Sequence, residues 1–270
     1  MKALKWINGV ALALTLAVNA LANLIPIGGN TTGQVSAAYP NLFTPAPVTF
    51  AVWGVIYLAL AAFALYQSGI LDENDRSAHI RTGIGLWFAV SCAFNIAWIL
   101  CWHLGAIGWS VVCMSGLLLS LSVIERRIAK VPGDGLSNLM VKPAFDIYFG
   151  WIIAAAIANV SVWLAKLGWN GFGLPDAFWT VVMLLVGTAI GCLVMIAGNK
   201  WLATSAVIWA YVGILIRHVS ASGFSGAYPV VIGAVLLGIC VMFCTIIAYS
   251  GIARDNDALH EDAAVRYTRV

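Results

Sequence analysis

Eight stretches of about 20 residues, each apolar and almost free of charge, constrain this chain more than any other feature. They run Leu4–Ile27, Val48–Gln67, Ile80–Trp102, Ala106–Ile124, Phe145–Lys166, Phe178–Ala197, Trp201–Val219 and Pro229–Ile252. Inside hydrocarbon every backbone N–H and C=O must be paired within the protein, and a helix of this length does that by itself. Of the 270 residues, 62% are hydrophobic and 9% charged, against about 25% charged in a soluble domain. Disorder, collagen, a coiled coil and nucleic-acid binding are excluded by the same figures. The expected fold class is an all-α integral membrane protein, built as an eight-helix bundle in the lipid bilayer.

The placement of charge orients the bundle. With a cytoplasmic N-terminus, the cytoplasmic segments hold twelve of the 14 basic residues: Lys2, Lys5, Arg76, Arg81, Arg126, Arg127, Lys130, Lys142, Lys200, Arg254, Arg266 and Arg269. Only Lys166 and Arg217 fall outside. Cytoplasmic loops attract Lys and Arg, and a wrong helix count would scramble the pattern. The expectation is a multi-pass protein of the cell membrane with both termini cytoplasmic. The first stretch, with Lys2 and Lys5 before it, is too long for a signal-peptide core and reads as a retained span. The polar end Arg254–Val270 reads as a disordered cytoplasmic tail.

Ionic chemistry is sparse. No carboxylate lies deep in a span; Asp146 and Glu125 sit at span ends. Coupled transporters place such groups at mid-membrane. The four histidines, His79, His103, His218 and His260, have no Cys, Asp or Glu at ligand spacing, so no metal site is indicated. The six cysteines show no CxxC and read as small packing residues.

Neutral polar residues carry more information. Thr15, Asn19 and Asn23 form a seam at four-residue spacing on the first helix. Asn95 and Trp98 share the third helix, and Trp151, Ala155 and Asn159 line one face of the fifth. In a bilayer such faces point inward, either as interhelical bonds or as the lining of a cavity. The second helix starts Phe43-Thr44-Pro45-Ala46-Pro47, then carries Trp53 and Tyr57 one turn apart. Those rings suit an interfacial belt or one wall of a pocket. The uncharged segment Gly28–Pro47 suits either a cover over the bundle or a plain connector. Gly187 and Gly191 form a GxxxG pair, a signal for close helix contact.

At this point the residues resemble the TspO/MBR tryptophan-rich sensory proteins, the translocator protein family. The likeness covers residues 1 to about 170. Thr44-Pro45 and Val52-Trp53-Gly54-Val55-Ile56-Tyr57 resemble the family's Pro-Pro and Val-Trp-x-x-x-Tyr. Asn95 and Trp98 resemble its Asn-x-x-Trp, and Tyr148, Trp151, Ala155 and Asn159 its Tyr-x-x-Trp-x-x-x-Ala-x-x-x-Asn. Thr44 and Ile147 stand where the family has Pro, and Leu164-Ala165-Lys166 lacks the Tyr of its sterol motif.

The resemblance implies a TspO-like five-helix core at 1–170, a three-helix extension at 171–253 and a tail at 254–270. It also implies an aromatic-walled pocket, covered by the loop after the first helix, for a porphyrin, haem-type or other flat apolar small molecule. Trp53, Trp98, Trp151, Ala155 and Asn159 are the implied lining, with Tyr57 and Asn95 behind. No catalytic residue, metal or tightly held cofactor is implied. Family members often dimerise, so a homodimer is the implied assembly, with the extra helices competing for that face.

The leading expectation is a receptor or sensor without enzymatic activity. A transporter or channel for a small neutral or apolar solute is one alternative, and an enzyme degrading a bound porphyrin is another. Of the 12 Trp, Trp6, Trp109, Trp163, Trp169, Trp179 and Trp201 fall at span ends and read as an interfacial belt. Trp53, Trp98 and Trp151 read as pocket residues.

Overall fold

The structure is a computed structural model that describes residues 2–25, 27–70, 77–131 and 135–267. Arg76 and Arg269 of the charge pattern lie outside the described residues, and α-helices α1 to α11 are numbered within them. Five long helices form one bundle: α1 (Lys2–Leu24), α3 (Val52–Ser68), α5 (Trp87–His103), α6 (Ile107–Ile128) and α8 (Lys142–Lys166). Three more, α9 (Asp176–Gly198), α10 (Trp201–Val219) and α11 (Pro229–Tyr267), pack on one another; α10 lies directly on α8, α9 touches it, and α11 packs against α9 and α10. Short helices α2 (Thr32–Ala37), α4 (Ser77–Ile84) and α7 (Gly135–Met140) sit in the connections. Among the described residues seven helices are long and apolar enough to cross a membrane, and α4 with α5 makes an eighth crossing if taken as one bent span. The protein is an all-α, multi-pass membrane protein.

Two apolar cores share α8. One packs α1, α3, α5 and α6 around Phe63, Phe88, Phe145 and Leu117. The other joins Ile153 to Leu184, Tyr211, Ile214 and Met242 of the last three helices, with Leu42 and Phe43. The outward faces carry exposed Leu14, Leu58, Leu119, Leu193 and Phe243, as lipid contact requires. The GxxxG pair marks a tight seam: a Cβ on Gly187 would lie 2.6 Å from the Tyr211 hydroxyl, and one on Gly191 2.6 Å from the Met242 sulfur.

Three expectations need correction. The third span is not straight, because α4 and α5 meet at 54°. Gly85 takes a left-handed φ of 59° at the break, a conformation that glycine adopts at no steric cost. The bend lets Arg81 leave the apolar path and donate from Nη1 to Gln67 O at 2.7 Å, capping the end of α3. Arg127 of α6 braces the corner, donating to Gly83 O at 3.2 Å and lying 5.9 Å over the Trp87 ring. The fifth span starts earlier than expected, at Lys142, because Pro143 falls in the first turn where its missing N–H costs nothing. The last helix does not stop near Ile252; it runs to Tyr267, where the expected disordered tail lies. Beyond Gly251 no Gly or Pro interrupts it and Ala is frequent, so helix propensity is sustained.

Charge is gathered at the end of the bundle where α6 finishes, α8 begins and α9 turns into α10. Lys200 in that turn pairs with Glu125 of α6 and, at 3.0 Å, with Asp146 of α8. Each carboxylate reads from sequence as an isolated group at a helix end; folding makes them one triad. Burial disfavours the Lys200 charge, but the two carboxylates outweigh that and hold the ammonium above the ordinary lysine range. Its stabilising contribution is therefore complete at neutral pH and is lost only as the pH rises through that raised value.

Lys200→Met leaves two carboxylates facing each other, with Glu125 4% exposed. Breaking a fully buried pair costs about 3–5 kcal/mol. Because the Lys200 side chain is 20% exposed, a loss of about 2–3 kcal/mol is expected. The check is a lower thermal midpoint in detergent, largely restored when Glu125→Gln and Asp146→Asn are added.

Candidate functional site

The cavity forms at the opposite end, where α1, α5, α8 and α10 finish and α3 and α6 begin. Its position follows from a chain of buried polar bonds. Asn19 of α1 donates to Asn95 Oδ1 of α5 at 2.7 Å, and Asn95 Nδ2 donates to the Tyr148 hydroxyl of α8 at 2.8 Å. Nearer the cavity end of the same helices, Trp98 Nε1 donates to Asn159 Oδ1 at 2.8 Å, and Asn159 Nδ2 to Ser110 Oγ of α6 at 2.9 Å. Each amide has partners on other helices, so rotating any one of α1, α5, α6 or α8 would strand a polar group in a dry interior. The polar seam of α1 therefore bonds across helices through Asn19, while the Thr15 hydroxyl donates to Ala11 O of its own helix at 2.9 Å and Asn23, at the surface, accepts from Thr32 N at 3.3 Å.

With the helices held in register, aromatic rings line up. Trp102, Trp98, Trp53 and Tyr57 form a ladder with successive centroids 5.8, 6.0 and 5.5 Å apart and planes within 28°. Trp151, Tyr148 and Phe50 close it edge-on: Trp53 meets Trp151 at 6.4 Å and Tyr148 at 5.8 Å, and Phe50 meets Trp151 at 5.9 Å. Small side chains complete the lining, Ala154, Ala155 and Ala158 of α8 with Ala210 of α10. The enclosed space among these side chains is about 40 Å³, well below the about 300–1,000 Å³ of small-molecule sites, so a ligand of that size has to part the walls to enter.

The segment after α1 covers this cavity, so the covering alternative, not the plain connector, describes it. Ser36, Phe43 and Pro45 line its underside. A capping box between Thr31 and Gln34 starts α2. Asn41 Oδ1 accepts from Phe43 N at 3.1 Å and Thr44 N at 2.9 Å, an Asx turn that drives Phe43 inward to 1% exposure. His103 fastens the other side. Its Nδ1 donates to Ile27 O at 3.0 Å, which leaves Nε2 to accept from the Thr32 hydroxyl at 3.1 Å.

Of the residues singled out from sequence, Trp53, Trp98, Trp151, Ala155 and Asn159 lie together in the cavity wall. Tyr57 and Asn95 do not reach it: Tyr57 backs Trp53, and Asn95 is spent on the bridge between α1 and α8. Trp102 is an addition; its position one turn after Trp98 was the available signal. Phe43, Phe50, Ala210 and Ile214 are further additions, and nothing local in the sequence marks the last two. Trp98 and Trp102 both have their N–H groups paired, Trp102 to Thr32 O at 3.1 Å. Trp151 differs: its ring is 3% exposed and lines the cavity, yet its Nε1 has no partner among the described residues. Of the six expected belt residues, Trp6, Trp109, Trp163 and Trp201 are exposed on the outside of the bundle, whereas Trp169 and Trp179 are half-buried, pack on each other at 5.1 Å and line a second cavity.

Fold and site together define a polytopic helical membrane protein with a covered, tryptophan-walled intramembrane cavity. A family profile described as TSPO-like protein matches residues 5–248 and reaches into all eight apolar stretches. The chain belongs to the TSPO-like family. No curated protein and no solved structure matches it.

Asn95→Leu removes the bridge and strands Asn19 and Tyr148. An interhelical bond of this kind contributes about 1–2 kcal/mol. The expected outcome is a thermal midpoint several degrees lower in detergent, larger than for Asn23→Leu, whose side chain lies at the bundle surface.

Proposed function

We propose that the protein is a membrane receptor or sensor that holds a flat, apolar, tetrapyrrole-like molecule against the tryptophan ladder. The observation that carries this reading is the cavity lining: stacked indole rings, a group of alanines, and one unpaired indole N–H at Trp151. Indole faces favour stacking on an extended π-system. The alanines leave room beside the rings, a slot that bulkier side chains would fill. An unpaired buried donor costs about 1–3 kcal/mol, which a ligand carrying an acceptor would recover. A porphyrin or haem-type molecule offers both the flat face and acceptor oxygens on its edge.

Membership of the TSPO-like family supports the same reading. The charge asymmetry supports cytoplasmic termini in a cell membrane, so the covered end of the cavity would face the opposite side. No nucleophile–base pair lies in the wall, which favours binding over catalysis. A homodimer, if formed, would use faces other than the side of α8 that α10 covers.

The test is quenching of intrinsic tryptophan fluorescence by protoporphyrin IX in detergent or nanodiscs. Saturable quenching is expected in the wild type. Trp53→Ala and Trp151→Ala should weaken it at least tenfold, while Trp6→Phe should leave it unchanged. Equal affinity in all three variants would overturn the site. Porphyrin flux in proteoliposomes would move the assignment to a transporter, and conversion of the porphyrin under light and oxygen would move it to an enzyme.

A further inference from the structure

We infer that α10, beyond the five-helix core, is part of the ligand site: Ala210 and Ile214 set the width of the slot, and His218 holds its cover closed. This deepens the reading above and rests on it.

The observations run along one face of α10. Ala210 and Ile214, one turn apart, both line the cavity beside Ala154, Ala155 and Ala158 of α8. Both are buried, at 3% and 0% exposure. The same helix makes three hydrogen bonds to the covering segment and the short 3-10 helix Pro47–Ala51 that follows it. Trp209 Nε1 donates to Thr49 O at 3.0 Å, Gly213 O accepts from Ala46 N at 3.0 Å, and His218 Nε2 donates to Leu42 O at 2.9 Å. Gly213 permits this approach, since a Cβ there would collide with the Thr49 side chain.

His218 holds the tip of the cover. It is fully buried, packed 4.8 Å from the Phe224 ring and 5.8 Å from that of Tyr228. Because a carbonyl can only accept, Nε2 carries the proton. Leu42 is followed by Phe43, whose ring lines the main cavity on one side. On its other side Phe43 lines a second cavity, bounded by Trp169, Trp179 and Asp176 near the start of α9. A segment pinned at Leu42, Ala46 and Thr49 cannot lift Phe43 from the slot without breaking bonds to α10. Slot width and cover stability are therefore both set by α10, and the last helices act on ligand selection and residence time rather than only on packing.

The experiment measures protoporphyrin IX binding to the full chain by equilibrium quenching and by stopped-flow release. Ala210→Leu fills the slot and should weaken binding at least tenfold. Should that variant fail to give a monodisperse peak, Ala210→Val gives the same sign at smaller bulk. His218→Ala should speed release at least fivefold, and His218→Gln, whose amide can still donate to Leu42 O, should restore it to within twofold of wild type. A purely structural role for His218 would lower the thermal midpoint and leave release unchanged, which overturns the cover assignment. Wild-type affinity in Ala210→Leu and Ala210→Val overturns the slot assignment. If the wild type itself is not quenched, the ligand reading fails and this inference fails with it. If the wild type is quenched while the α10 variants match it, this inference alone fails.

Discussion

The structure depends on one constraint: inside the bilayer a polar side chain must find its partner within the protein. Two short relays satisfy it, Asn19–Asn95–Tyr148 and Trp98–Asn159–Ser110. Between them they tie α1, α5, α6 and α8. The apolar faces of these helices are interchangeable with lipid and with one another, so they specify depth in the membrane but little about rotation. The amides supply that missing specificity. Once the relays are made, Trp98 and Trp102 are aimed at Trp53, and the ladder that walls the cavity follows.

The two ends of the bundle solve different problems. At the end with the α1 N-terminus, charge is concentrated: Lys200 sits between Glu125 and Asp146 and joins the core helices to the turn between α9 and α10. Alone, either carboxylate at that depth would be costly; the shared ammonium offsets the cost and locks three chain segments together. At the other end charge is kept out of the cavity wall, and neutral groups hold the cover. Backbone carbonyls at Ile27, Thr32, Leu42 and Thr49 are each met by an indole or imidazole N–H. Such bonds close the cover without burying an ion, and Trp151 Nε1 is left without a partner among the described residues.

Much of the fold was legible in the chain, for a physical reason. A bilayer demands runs of about 20 apolar residues, and that demand is written locally, so span number followed from counting. The same is true of the GxxxG seam and of four of the belt tryptophans, Trp6, Trp109, Trp163 and Trp201. The bend at Gly85 was not legible as such, because a lone glycine in an apolar run is usually tolerated. It becomes a corner only because Arg81 finds the end of α3 and Arg127 finds the corner. Five of the cavity residues could be picked out because aromatic, small and amide side chains repeat at one-turn spacing. Tyr57 and Asn95 carry the same local pattern and yet face other helices.

The sequence by itself determined that this chain crosses the membrane about eight times, which faces of its helices seek one another, and which tryptophans stand apart from the interfacial belt. Those properties depend on hydropathy and helical period, and both are local. Only the tertiary structure decided that Glu125, Asp146 and Lys200 are one site, that Trp102 and Phe43 belong with Trp53, and that α10 walls and fastens the cavity. Each of these joins residues up to 176 positions apart, as His218 and Leu42 are. No periodicity encodes such a pairing; it exists only once helices of similar apolar surface have been sorted by the few polar bonds that fit.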